Sequence, residues 1–212
     1  MTLRLFVVRH GETPFNREMR YLGTADEPLS PKGVGQAEQL AASLGPLPLQ
    51  AVYASPLSRA AETGRRIAEA RQVVLRLEPR LREQAFGDWE GLTRSEVLER
   101  DRDRLLGWEA NLGSLGMAPP GGESLLSVQE RTLDLVDELA RAHPGEWIAL
   151  VSHVGPIKAL LCAALDAPLA TARRMFLDPG TVTVLDWGRH PVVRLFNAHG
   201  HLGWESARWM ER

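Results

Sequence analysis

The feature that most constrains the fold is an alternation of short apolar runs with capped helical patterns along the first third of the chain. Leu3 to Val8 is apolar and rich in β-branched residues, and reads as a buried strand. Ser30-Pro31 follows as a helix start, with serine as N-cap and proline at the first helical position. Val34, Ala37, Leu40, Ala41 and Leu44 recur at helical spacing until Gly45-Pro46 stops them. Ala51 to Ala54 reads as a second strand. Ser55-Pro56 repeats the cap signal and predicts a helix over about 56–70, and Val73 to Leu77 reads as a third strand. Strand, helix, strand, helix, strand predicts an α/β fold: a three-layer α/β/α sandwich around a mostly parallel sheet.

The stretch from about 84 to 123 breaks the pattern. It carries Trp89, Trp108, Pro119-Pro120 and five glycines within residues 107–122. Its one helix signal is a capping box, Thr93-x-x-Glu96. We read it as a helical insertion over the site within a single domain of residues 1–212, a length that suits one domain. Regular structure resumes near Ser124 with a long amphipathic helix ending at His143-Pro144-Gly145. Trp147 to Val151 reads as a fourth strand. Val154 to Leu165 is apolar almost all round and predicts a buried helix. Two more strands, Val182–Trp187 and Val192–Phe196, flank Gly188-Arg189-His190-Pro191. The last sixteen residues give no clear pattern.

Composition narrows the partners. Lys+Arg is 25 against Asp+Glu 27, a net charge of -2, which favours neither nucleic acid nor an anionic membrane. Cys162 is the single cysteine, so no intrachain disulfide or CxxC metal site forms; in an apolar helix it is expected to be inert. The apolar N-terminal stretch is too short, and too soon followed by Arg9, for a signal peptide or a membrane span, and a soluble cytoplasmic protein is expected. A homodimer is left open.

Two histidines share one local setting: each follows an apolar strand and precedes a glycine turn, in Val8-Arg9-His10-Gly11 and Ser152-His153-Val154-Gly155. Ligands in open α/β sheets bind outside the carboxyl ends of the strands, so both rings can face one crevice. Arg9 adjoins the first, and Arg59 falls in the first turn of the helix after the second strand. Two arginines and two histidines near helix N-termini suit a tetrahedral phosphate.

These residues lie in motifs that resemble the histidine phosphatase, or phosphoglycerate mutase-like, superfamily. Arg9-His10-Gly11-Glu12-Thr13-x-x-Asn16 is its signature. Arg20-x-x-Gly23-x-x-Asp26-x-Pro28-Leu29-Ser30, Ser55-Pro56-Leu57-x-Arg59-Ala60-x-x-Thr63 and Leu81-Arg82-Glu83 follow in family order. Phe86-Gly87-Asp88-Trp89-Glu90-Gly91, Pro120-Gly121-Gly122-Glu123-Ser124 and Ser152-His153 complete the match. The resemblance implies that His10 attacks phosphorus, that Arg9, Arg59 and His153 hold the non-bridging oxygens, and that Glu83 is the acid-base group. Glu90 and Asp88 are its rivals for that role. It also implies catalysis without a metal or other cofactor. Gly11, Asn16, Leu22, Gly23 and Val154 are the expected substrate-binding positions, Asn16 donating to phosphate or fixing its loop.

The acid loop Glu83-Gln84-Ala85-Phe86-Gly87 is similar to the phosphatase branch, which includes α-ribazole phosphatases and broad-specificity enzymes. It departs from the mutase pattern Glu-Arg-His-Tyr-Gly, as does Leu22 where mutases often have threonine. The usual glycine after the second histidine is Val154, which predicts a narrower pocket floor, and Lys158 stands where the family usually has arginine. The expected function is therefore hydrolysis of a small phosphorylated metabolite through phosphohistidine, with α-ribazole phosphate as one refinement. The alternatives are a cofactor-dependent phosphoglycerate mutase and a catalytically silent phospho-ligand domain. Trp108, Leu112, Leu115 and Met117 are candidate wall residues for a bulky leaving group, or packing. His143, His190, His199 and His201 are expected to be solvated, with a His199-x-His201 metal pair as a minor alternative.

Overall fold

Every residue of strand β1 (Leu3–Arg9) except Arg4 is buried, which demands cover on both faces of the sheet. The computed structural model, which describes residues 2–112, 114 and 117–203, supplies it. Alternate side chains go to opposite sides. Leu3, Leu5 and Val7 join one core with Leu135, Leu139, Ile157 and Leu160; Phe6 and Val8 join another with Leu40, Ala41, Ala60 and Ile67. The first core is built by helices α5 (Leu125–Ala142) and α6 (Val154–Ala164), the second by α2 (Pro31–Leu44) and α3 (Ser58–Arg71). The expected three layers are present.

The other strands are β2 (Ala51–Ala54), β3 (Leu75–Leu77), β4 (Trp147–Ser152), β5 (Val182–Trp187) and β6 (Val192–Ala198). The sheet order is β3-β2-β4-β1-β5-β6. β3, β2, β4 and β1 pair in parallel, whereas β5 runs antiparallel to β1 and to β6. The sheet is thus mostly parallel, with an antiparallel edge.

Helix starts follow local chemistry at most places. Ser30 caps α2 by accepting the Gly33 N–H, with Pro31 in the first turn. Ser124 caps α5 in the same way through Ser127. Thr93 and Glu96 form the expected capping box on α4 (Arg94–Ala110). Ser55-Pro56 is the exception. Leu57 occupies the N-cap of α3 with no side-chain bond, because Ser55 Oγ instead accepts the Leu57 N–H at 3.3 Å. β3 is also shorter than expected: Val73 N–H returns to Ala68 O, closing α3 rather than extending the strand. β6 runs two residues further than expected, to Ala198, and residues 204–212 of the unassigned C-terminal stretch lie outside the described part.

The 84–123 segment has a small core of its own. Trp89, Val97 and Leu105 are buried there, with Tyr21, Phe86, Leu92 and Trp108 around them. Helix α4 breaks at Asp101 (φ -147°, ψ 49°), whose carboxylate accepts the Trp89 indole N–H at 3.3 Å.

Candidate active site

Parallel pairing of β1 with β4 sets the centre of the site. The register ends on Arg9 opposite Ser152, so the next residues out, His10 and His153, leave the sheet side by side. Their ring centroids are 4.9 Å apart. The His10 backbone is held between strands: its N–H donates to Ser152 O, and its carbonyl accepts from Gly180 N.

Hydrogen bonds fix opposite tautomers on the two rings. His10 Nδ1 lies 2.7 Å from Gly11 O. A carbonyl only accepts, so Nδ1 carries the proton and Nε2 keeps its lone pair. His153 Nδ1 instead accepts from Arg59 Nε at 3.3 Å. Its proton therefore sits on Nε2, a buried atom with no partner. Burial, followed by nearby positive groups including Arg59 and Arg9, holds both imidazoles well below their ordinary pKa. Both rings are neutral near pH 7. One presents a lone pair, and the other an unspent N–H.

Arg59 is fully buried, unlike Arg65 and Arg66 about two turns along α3, which pair with Glu62, Glu69 and Glu38 at the surface. Its guanidinium also donates to Ala25 O at 2.9 Å and Gly23 O at 2.7 Å. These bonds hold its plane in place, and two of its five N–H groups remain for a ligand. Arg9 is anchored to Leu177 O at 2.5 Å.

Among the three candidate acids, only Glu83 lies with this group. Its Oε1 accepts the N–H of Gln84 at 2.8 Å and of Gly155, in the first turn of α6, at 2.9 Å. A Cβ at Gly155 would fall 2.4 Å from that oxygen, so this close approach requires glycine. Burial raises the Glu83 pKa, against the pull of the two N–H groups, Arg59 and Arg9. Asp88 is exposed. Glu90 is already occupied: it accepts from Thr24 N, Thr24 Oγ, Ala25 N and Phe86 N.

The five charged or titratable residues expected from the sequence are thus brought together. The expected substrate-binding positions divide. Gly11 is buried beside His10, its N–H donating to Thr63 Oγ1 at 3.3 Å. Gly23 turns its carbonyl to Arg59, and Leu22 is buried behind it. Asn16 serves its own loop, its side chain accepting the Thr13 N–H in a reciprocal cap on the short helix α1 (Pro14–Arg17). Val154 lines a cavity of about 270 Å³ that opens next to Glu83. Tyr21, Phe86, Trp108 and Leu112 also line it, with Lys158 on the α6 wall. Trp89 is core, whereas Trp108 both packs on it, at 5.6 Å between centroids, and faces the cavity. Leu115 lies outside the described residues.

Three of the four remaining histidines are not solvated. His199 is buried, its Nε2 2.8 Å from Asp178. His143 bridges Glu146 and the Tyr53 hydroxyl, and His201 bonds Gly180 O. Only His190 is exposed. Local polarity suggested solvent, but these contacts come from residues up to 90 positions away. The sequence reading also passed over Gln36, whose amide oxygen accepts the Glu12 N–H at 2.8 Å, and the structural work of Glu90. Neither residue type carries a signal of such a role.

Comparison with known proteins shows the family. Residues 5–198 match the model of the histidine phosphatase superfamily, branch 1. The chain is 33% identical over 202 residues to phosphoserine phosphatase 1 of Hydrogenobacter thermophilus, covering 95% of both chains. It is 36% identical over 94% of its length to a bifunctional protein of Mycobacterium tuberculosis, of which it spans about half, 55%. The solved structure of Bacillus stearothermophilus YhfR superposes with a TM-score of 0.87 at 32% identity, over 95% of this chain and 100% of that one. Among the described residues, no helix is long and apolar enough to cross a membrane. The chain belongs to the histidine phosphatase superfamily, branch 1.

Proposed function

We propose that the chain, acting as a single domain with residues 84–123 as cover, hydrolyses small phosphomonoesters through a phosphohistidine at His10. The pair of opposite tautomers supports this reading most directly. The His10 Nε2 lone pair attacks phosphorus, and Gly11 O stabilises the positive charge that develops on the ring. Arg9, Arg59 and the unspent His153 N–H hold the non-bridging oxygens as negative charge spreads over them. Glu83, kept protonated by burial, gives its proton to the leaving oxygen. It then takes one from the water that attacks phosphohistidine, which returns neutral His10 and inorganic phosphate.

The leaving alcohol occupies the cavity beside Glu83. Hydrolysis rather than phosphate transfer between hydroxyls is supported by the acid loop and by Leu22, both of which depart from the mutase pattern. α-Ribazole phosphate belongs in the substrate panel with other small phosphorylated metabolites.

The test is trapping by quenching with alkaline detergent after mixing with ³²P-labelled phenyl phosphate. Label is expected on the parent in an acid-labile, alkali-stable form. His10→Ala is expected to carry no label and to lose about 10³-fold or more in phosphate release. Turnover of the variant within tenfold of the parent rejects His10 as nucleophile.

A further inference from the structure

Lys158 is not used by the chemistry above. It lies on α6, one turn beyond Gly155, whose N–H holds Glu83. Three residues of helix carry the chain about 4.5 Å along its axis. Lys158 therefore stands further down the cavity wall than the acid, beside the part of a substrate that is released. It is half-buried and lines the cavity.

Among the described residues its ammonium makes no ion pair or hydrogen bond. The other cations nearby are spoken for. Arg173, also on the cavity wall, bonds Glu109; Arg131 forks onto Glu123; Arg9 donates to Leu177 O. A half-buried ammonium left without a partner is costly unless a ligand completes it.

We propose that Lys158 is a specificity-determining residue that binds a second anionic group, a carboxylate or a second phosphate, on the leaving alcohol. This rests on the phosphomonoesterase reading and names the substrate class: phosphorylated alcohols that carry an anion a few bonds from the ester oxygen. The aromatic wall of Tyr21, Phe86 and Trp108 then flanks the carbon skeleton.

The proposal carries a pH dependence. Burial, with Arg9, lowers Lys158 to about 8, while Glu83 and Cys162 act the other way; Tyr21, Glu109 and Arg173 are the other titratable groups on the cavity wall. A lysine is charged below its pKa, so selectivity for the anion is present at pH 7 and fades as pH rises through about 8.

The test compares substrates that differ in one group. 3-Phosphoglycerate is set against glycerol 3-phosphate, and propane-1,3-diol bisphosphate against its monophosphate, with phenyl phosphate as reference in each preparation. The two pairs distinguish carboxylate from phosphate. The parent is expected to favour the anionic member of at least one pair by about tenfold or more in kcat/KM, chiefly through KM. Lys158→Gln is expected to bring that ratio within about twofold of unity, and Lys158→Arg to restore most of it. The same ratios are read as dissociation constants by calorimetry on His10→Ala protein. A parent silent on phenyl phosphate thus rejects the hydrolase reading, while the binding ratios still judge Lys158. No preference in the parent for either anion, or a ratio unchanged by Lys158→Gln, overturns the inference.

Discussion

Replacing Glu83 by glutamine isolates the proton from the geometry. Glu83 Oε1 accepts two backbone N–H groups, at 2.8 and 2.9 Å, and a glutamine amide oxygen accepts both in the same place. What the variant loses is the proton carried on the buried carboxyl. General acid catalysis is typically worth about 10²–10⁴-fold, and an alkoxide needs it far more than a nitrophenolate does. Phosphoenzyme formation from an alkyl phosphate should therefore slow by about 10² or more. With nitrophenyl phosphate it should change little, and phosphohistidine should accumulate because the water step has lost its base.

Stability provides a second, independent reading of the same group. Burial raises the folded-state pKa of Glu83, so the fold favours its protonated form. That contribution is present below the unfolded carboxylate value, about 4.3, and is lost as pH rises through the folded value. Glutamine never ionises, so Glu83→Gln should melt at or above the parent at pH 7.5, with the gap closing at pH 4. Rapid-quench kinetics with the two substrates and calorimetric melting at the two pH values are the assays. Equal slowing of the first step for both leaving groups, or a lower Tm at pH 7.5 than at pH 4 relative to the parent, refutes a buried neutral acid.

Two further outcomes follow from the same geometry. Exhaustive dialysis against a chelator should leave phosphate release unchanged, since Arg9, Arg59 and His153 supply the positive charge and the donor; loss restored by Mg²⁺ or Zn²⁺ would reject that account. Gly155→Ala puts a methyl 2.4 Å from Glu83 Oε1 and 3.4 Å from Gln84 Cβ, so the acid must move. A displacement near 1 Å can cost about 10²-fold; alkyl phosphate turnover should fall at least tenfold, more than nitrophenyl turnover, and unchanged kinetics would show that the carboxyl is not where its proton is used.

The parts of the molecule legible in the sequence are those where a local pattern decides the outcome. β1 reads as buried because its apolar run leaves no polar face, and α6 because it is apolar all round. Ser30, Thr93 and Ser124 cap helices because a serine or threonine oxygen reaches an N–H two or three residues on. Ser55 fails by the same logic: its oxygen is spent on Leu57, inside the turn that delivers Arg59. The break of α4 at Asp101 and the burial of His199 depend on partners brought in by tertiary folding, Trp89 and Asp178. The choice among Glu83, Glu90 and Asp88 also needed three dimensions, because the three lie within eight residues and differ only in what surrounds them.

Glu90 shows why the motifs occur together along the chain. Its carboxylate accepts the backbone N–H groups of Thr24 and Ala25, while Arg59 takes the carbonyls of Gly23 and Ala25. One short loop is gripped by an anion through its donors and by a cation through its acceptors. The anion also accepts the Phe86 N–H, in the loop that follows Glu83. Gly23 is needed at the junction, since a Cβ there would lie 2.1 Å from Glu90 Oε1. The Arg59 guanidinium and the loop that follows Glu83 are thereby set by the same three residues, 23 to 25. A carboxylate spent in this way is unavailable as an acid, yet the spacing between Arg59 and the loop after Glu83 depends on it.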